Sequence, residues 1–163
     1  MDKKMYLGVT LNRVCSRKLA LAVLVIYVFF ASISLPARAD EIDNARGVST
    51  LILENLESKK FAQTWDQNVS DWFKERTTKA AFLGNMTIVH AQLGGVSTSR
   101  ELVQQNQTLG QAASGFTGMV YSFMYDTQYP AAKVYETIVL IAEGNEIKLS
   151  GINYVPNPNP NSK

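Results

Sequence analysis

The chain is short of the side chains that most often carry chemistry. Its 163 residues include one cysteine and one histidine. Cys15 lies ahead of an apolar run in the N-terminal segment, so the chain beyond that run has no thiol. For that remainder, a disulfide framework, thiolate metal sites and a cysteine nucleophile are all excluded. A metal centre built on His90 alone would need several carboxylates at ligand spacing, and no spaced pair accompanies it. Neither a metal nor a cofactor is therefore expected. A Ser-His-Asp triad would also have to use His90, yet no Gly-x-Ser-x-Gly elbow precedes a helix anywhere. No repeat with a solenoid period is present.

Positive charge is scarce too, once its location is considered. Six of the 16 Lys and Arg lie at or before Arg38, together with one of the 14 acids, Asp2. From Asp40 onward ten basic residues face 13 acidic ones, a net charge near −3. The basic pI of the whole chain belongs to its first segment, so nucleic acid is not expected as a partner. That segment has three parts. Lys3, Lys4, Arg13, Arg17 and Lys18 precede an unbroken apolar run from Leu19 to Ala31, and Ala37-Arg38-Ala39 supplies a small-x-small ending. This is the pattern of a secretory signal peptide over residues 1–39, with cleavage expected after Ala39 and no membrane span left behind. The alternative is an uncleaved anchor, since Leu19 to Leu35 falls only slightly below the roughly 20 residues of a spanning helix. Both readings put the domain outside the cytoplasm, periplasmic or secreted.

What the chain does have is a pattern for one α+β domain over residues 40–155. Asp40 to Asn44 suits a helix start, and Val48, Leu51, Ile52 and Leu56 predict an amphipathic helix over Ala45–Glu57. Phe61 and Trp65 suggest a short helix, a turn at Asn68–Asp71 and another short helical turn. Thr77 or Thr78 is placed to cap a third helix with Phe82, Met86, Val89 and Leu93 on one face, ending at Gly94-Gly95. Arg100–Gln105 reads as an exposed edge strand and Thr108–Ser114 as a loop. Met119, Tyr121, Phe123 and Tyr125 then alternate with smaller residues as an aromatic strand face. Val134–Ile141 reads as an interior strand, Glu143-Gly144-Asn145-Glu146 as a hairpin turn and Ile147–Val155 as the returning strand. The apolar parity inverts after Gly151, which predicts a bulge there. Residues 156–163, rich in Pro and Asn, are expected to form an extended, disordered tail. The order gives helices on one face of a curved antiparallel sheet of about four strands.

Several pieces taken in order carry a resemblance. They are Phe61-x-x-Thr64-Trp65-Asp66, Ser70 with Phe73-Lys74, Leu93-Gly94 followed by Arg100, Gly118-x-x-Tyr121, and Glu136-Thr137 before an apolar strand. Together they resemble the bacterial domain of unknown function 4019 family, over about Ala45 to Ile152. Ile147 and Gly151-Ile152 depart from the Gly-x-Trp and Gly-Tyr that the family usually has in its final hairpin. The resemblance implies a small exported bacterial protein with a cone-shaped layout of the nuclear transport factor 2-like kind. It implies no activity.

Four residues stand out as candidates for ligand contact. Glu136 shares a face with Val134, Ile138 and Leu140, so if that face turns inward its carboxylate needs a partner, and Arg100 fits. His90 lies at the border of the third helix's apolar face, where a hydrogen-bonded structural role competes with a site role. Tyr121 either lines a cavity or joins the core. No catalytic residue is assigned. The chain is expected to be a non-enzymatic binding or interaction module of the cell envelope, its partner an envelope protein or a small ligand. The alternative is a small-ligand binder or hydrolase-like enzyme with a pocket in the cone.

Overall fold

A computed structural model describes residues 37–110 and 115–158. The run from Leu19 to Leu35 and residues 159–163 lie outside the described residues, and so does 111–114 of the expected loop. Among the described residues four helices come first: α1 (Ala37–Glu57), α2 (Phe61–Asn68), α3 (Asp71–Lys74) and α4 (Lys79–Leu93). Four strands follow: β1 (Ser99–Gly110), β2 (Gly118–Gln128), β3 (Lys133–Glu143) and β4 (Glu146–Pro156). The strands pair antiparallel in chain order, β1-β2-β3-β4, as an open meander. Among the described residues no helix is long and apolar enough to cross a membrane.

The aromatic face of β2 is the floor of the core. Tyr121, Phe123 and Tyr125 are buried, with Ile138 and Leu140 beside them on β3 and Leu149 on β4. Ile52, Leu53 and Leu56 of α1, Phe61 and Trp65 of α2, and Phe82 and Met86 of α4 cover that floor. Period two in the strands and period 3.6 in the helices thus meet across one interface. Ser49 and the Tyr125 hydroxyl share a hydrogen bond of 2.5 Å through it.

The helix ends follow local chemistry. Thr78 is the N-cap of α4, its hydroxyl accepting from the Ala81 N–H at 3.2 Å. Gly94 terminates the helix at φ +82°, a conformation in which a Cβ is strained. The α1 stripe is shifted from expectation. The helix begins at Ala37, earlier than Ala45, and buries Leu53 while Leu51 is half-exposed. Ala45, Ser49, Ile52, Leu53 and Leu56 form the buried stripe, a spacing as regular as the expected one.

Two strand expectations are corrected. β1 runs on to Gly110, so Thr108–Gly110 is strand where a loop was expected, because Leu109 and Thr108 pair with Met119 and Val120. The chain end is ordered further than expected. Pro156 closes β4 and Asn157 is buried, its N–H donating to the Lys133 carbonyl at 2.9 Å and its Nδ2 to Asp126 Oδ1 at 3.1 Å. The hairpin turn and the bulge fall as expected. Gly144 has φ +63°, and Leu140 pairs with Leu149 while Val139 pairs with Gly151, leaving Ser150 as the extra residue. The shift turns Ile152 and Tyr154 onto the core side.

Candidate functional site

Glu136 is fully buried on the inward face of β3, opposite Tyr125 of β2 and Tyr154 of β4. An ionised carboxylate there is tolerable only if several donors replace its water. Three do. Tyr129 Oη donates to Oε1 at 2.5 Å, while Thr127 Oγ1 and Arg100 Nε donate to Oε2 at 2.6 and 2.8 Å. Arg100 reaches this point because β1 places it opposite Thr127, on the helix side of the sheet. Its other arm, Nη2, donates to Glu57 Oε1 at 2.5 Å and lies 3.3 Å from the Tyr129 hydroxyl. One guanidinium therefore clamps the last residue of α1 to the middle of β3.

Electrostatics follow from that geometry. Burial opposes the charge on Arg100, but the hydrogen bond and charge of Glu136, with Glu57 adding, hold its guanidinium above the usual range. Burial first, and the charge of Glu136 next, push the Tyr129 and Tyr154 hydroxyls well above the ordinary phenol value. These hydroxyls remain protonated donors at neutral pH.

His90 occupies the third place of the α4 stripe, after Phe82 and Met86, and is buried rather than at the border. Its Nε2 lies 3.3 Å from the Tyr154 hydroxyl, and its ring packs on Phe61 and Tyr154 at centroid distances of 5.4 and 5.9 Å. Burial lowers its pKa from the ordinary 6.5. The charges of Glu136 and Glu57 oppose that shift, and those of Arg100 and Lys59 add to it. At neutral pH the ring is uncharged.

Two groups of this cluster, Glu57 and His90, border open space. A cleft of about 400 Å³ is lined by Glu57, Lys59, His90, Gly94, Gly95 and Val96, between the C-terminal ends of α1 and α4. Lys59 stands there in the left-handed region, at φ +57°. Among the described residues no three His, Cys, Asp or Glu side chains gather as metal ligands.

Of the four residues singled out from sequence, Glu136, Arg100 and His90 converge and Tyr121 does not. Tyr121 pairs with Leu140, four residues along the ladder from the Tyr125–Glu136 pair, and is fully buried in the core. Its hydroxyl is pushed upward by burial and then by Glu41, without a hydrogen bond of good geometry. Glu57, Thr127, Tyr129 and Tyr154 complete the cluster and were not singled out. Thr127 continues the parity of Tyr121, Phe123 and Tyr125, a signal that would have found it. Glu57 reads locally as one more helix-end carboxylate.

A model of the family described as "Protein of unknown function (DUF4019)" matches residues 49–152, a span that takes in Glu57, His90, Arg100, Thr127, Tyr129 and Glu136. No curated protein matches the chain, and no solved structure does.

Proposed function

The chain belongs to the DUF4019 family, and from that premise we propose that it is an exported binding domain of the cell envelope, taking a small polar ligand in the cleft beside His90. One observation carries this reading. Glu57 on the cleft wall is held by Arg100, which Glu136 holds in turn, so that wall is fixed before anything binds. Export rests on the basic lead, apolar run and small-x-small ending of residues 1–39. A cone-like layout of the nuclear transport factor 2-like kind is supported by helices gathered on one face of a sheet bent by bulges at Val103 and Ser150.

Binding is favoured over hydrolysis for a chemical reason. A general base needs a free lone pair aimed at substrate. Glu136 has its oxygens taken by three donors, and the His90 Nε2 faces the Tyr154 hydroxyl. The hydrolase-like reading retains one supporting observation, His90 on the cleft wall.

A thermal-shift screen of the purified protein against small charged and zwitterionic compounds tests the reading, because a native-state ligand raises apparent stability. A compound that raises Tm for the wild type and loses that effect in Val96→Trp, which fills the cleft mouth from a side chain 59% exposed, supports it. Stabilisation that survives Val96→Trp places the ligand elsewhere and refutes it.

A further inference from the structure

The two edges of the sheet are treated differently. β4 is met at its outer side by the α2–α3 connection, where Val69 bridges Leu149 and the Ser70 N–H donates to the Leu149 carbonyl at 2.9 Å. β1 has no strand on its outer side among the described residues. It is 12 residues long, and from Leu102 to Gly110 it holds no charge and no proline. Long edges are ordinarily blunted by lysine, proline, shortness or a bulge. Here the single bulge sits at Val103, leaving Gln104–Gly110 in unbroken register with β2.

We infer that β1 pairs antiparallel with β1 of a second copy about a two-fold axis at Asn106, joining two four-stranded sheets into one. The strand is complementary to itself in that register. Val103 meets Leu109 of the other copy, Gln104 meets Thr108, and Gln105 meets Gln107. Val103 and Leu109 are 46% and 65% exposed, so each covers apolar surface that otherwise faces water.

The glutamine pair is already poised for the match. Gln105 Oε1 accepts from Arg46 Nη2 at 2.6 Å and Nε at 3.2 Å, which leaves the Gln105 amide N–H groups as donors. Gln107 Nε2 donates to Glu41 Oε2 at 3.5 Å, which leaves the Gln107 oxygen as an acceptor. Both side chains lie on the helix side, beside Phe123 and Tyr121. Across the two-fold, the spare donor of each copy faces the spare acceptor of the other. An isologous contact needs this kind of pairing between one position and another on the same patch. A ladder of this length is a small interface, so the dimer is reversible and concentration-dependent.

Sedimentation velocity of the purified full chain over a concentration series tests the pairing. The wild type is expected to show a monomer–dimer equilibrium. Asn106→Lys sets two lysines against each other on the axis and should shift the equilibrium to monomer, with near-UV circular dichroism and Tm unchanged. Gln104→Lys should weaken the dimer several-fold, and adding Thr108→Glu to it should restore association, because those positions oppose each other only in this register. A wild type that stays monomeric throughout overturns the inference. So does a dimer that Asn106→Lys leaves intact, or one that Thr108→Glu fails to rescue.

Discussion

A carboxylate fully shielded from water with three donors around it has little freedom to lose any of them. Glu136→Ala leaves the Arg100 guanidinium half-paired and two hydroxyls without an acceptor, and should lower unfolding free energy by about 3–5 kcal/mol in denaturant titration. Glu136→Gln keeps the shape but offers one acceptor oxygen to three donors, at a cost of about 1–3 kcal/mol. Little change in stability on Glu136→Gln would contradict the buried pairing. His90 gives the pH dependence. Its pKa is lower folded than the 6.5 of an ordinary histidine, so the unfolded chain takes up the proton first. Its contribution is therefore complete above pH 6.5 and is lost as pH falls from there through the folded pKa, with a slope of up to about 1.4 kcal/mol per pH unit. Replacing His90 by Phe should flatten that part of the Tm–pH curve, read by calorimetry. Tyr129 and Tyr154 act at the other end. Their folded pKa values are raised above 10, so their stabilising effect is present below pH 10 and lost as pH rises beyond it.

At the scale of elements, the C-terminal end of α4 borders the cleft and the N-terminal end does not. Thr78→Ala removes the hydroxyl that accepts from the Ala81 N–H and should cost about 1 kcal/mol without disturbing the site. Gly94→Ala acts at the opposite end and differently. The residue is held at φ +82°, and an added Cβ would lie 3.0 Å from the Ala131 Cβ, so the loop lining the cleft must shift. Amide exchange should accelerate at Gly95 and Val96 in Gly94→Ala but not in Thr78→Ala. The strands and their turn were legible because strong local signals agreed: alternation from Met119 to Tyr125, Gly144-Asn145 at the hairpin, and the parity switch at Gly151. The length of β1 was not legible, since Gln, Asn and Thr carry no periodic apolar mark and pairing with β2 alone orders them. Asn157 was missed for a similar reason, because its ordering partners, Lys133 and Asp126, are remote in sequence.

For the molecule as a whole, one unit of charge ties helix layer to sheet. Arg100 bonds both Glu57, where α1 ends, and Glu136, in the middle of β3. The Glu136–Arg100 half was readable from sequence, because a carboxylate in step with Val134, Ile138 and Leu140 demands a cation. The Glu57 half was not, since nothing local distinguishes that carboxylate, and Tyr129, though in phase with the buried face, lies one residue past the end of β2. Arg100→Met should therefore both destabilise the protein, by about 3–5 kcal/mol, and loosen α1 from the sheet, visible as faster exchange at the end of α1 than at its centre.

The most direct measurement uses the fact that the chain has a single histidine. Its imidazole resonances titrate without overlap from another histidine in NMR, in wild type and in Glu136→Gln. If Glu136, Arg100, Glu57 and His90 act as one electrostatic unit, the wild-type pKa falls below 6.5 and drops further when the Glu136 charge is removed. A value at or above 6.5, or one that Glu136→Gln leaves unmoved, would contradict the account.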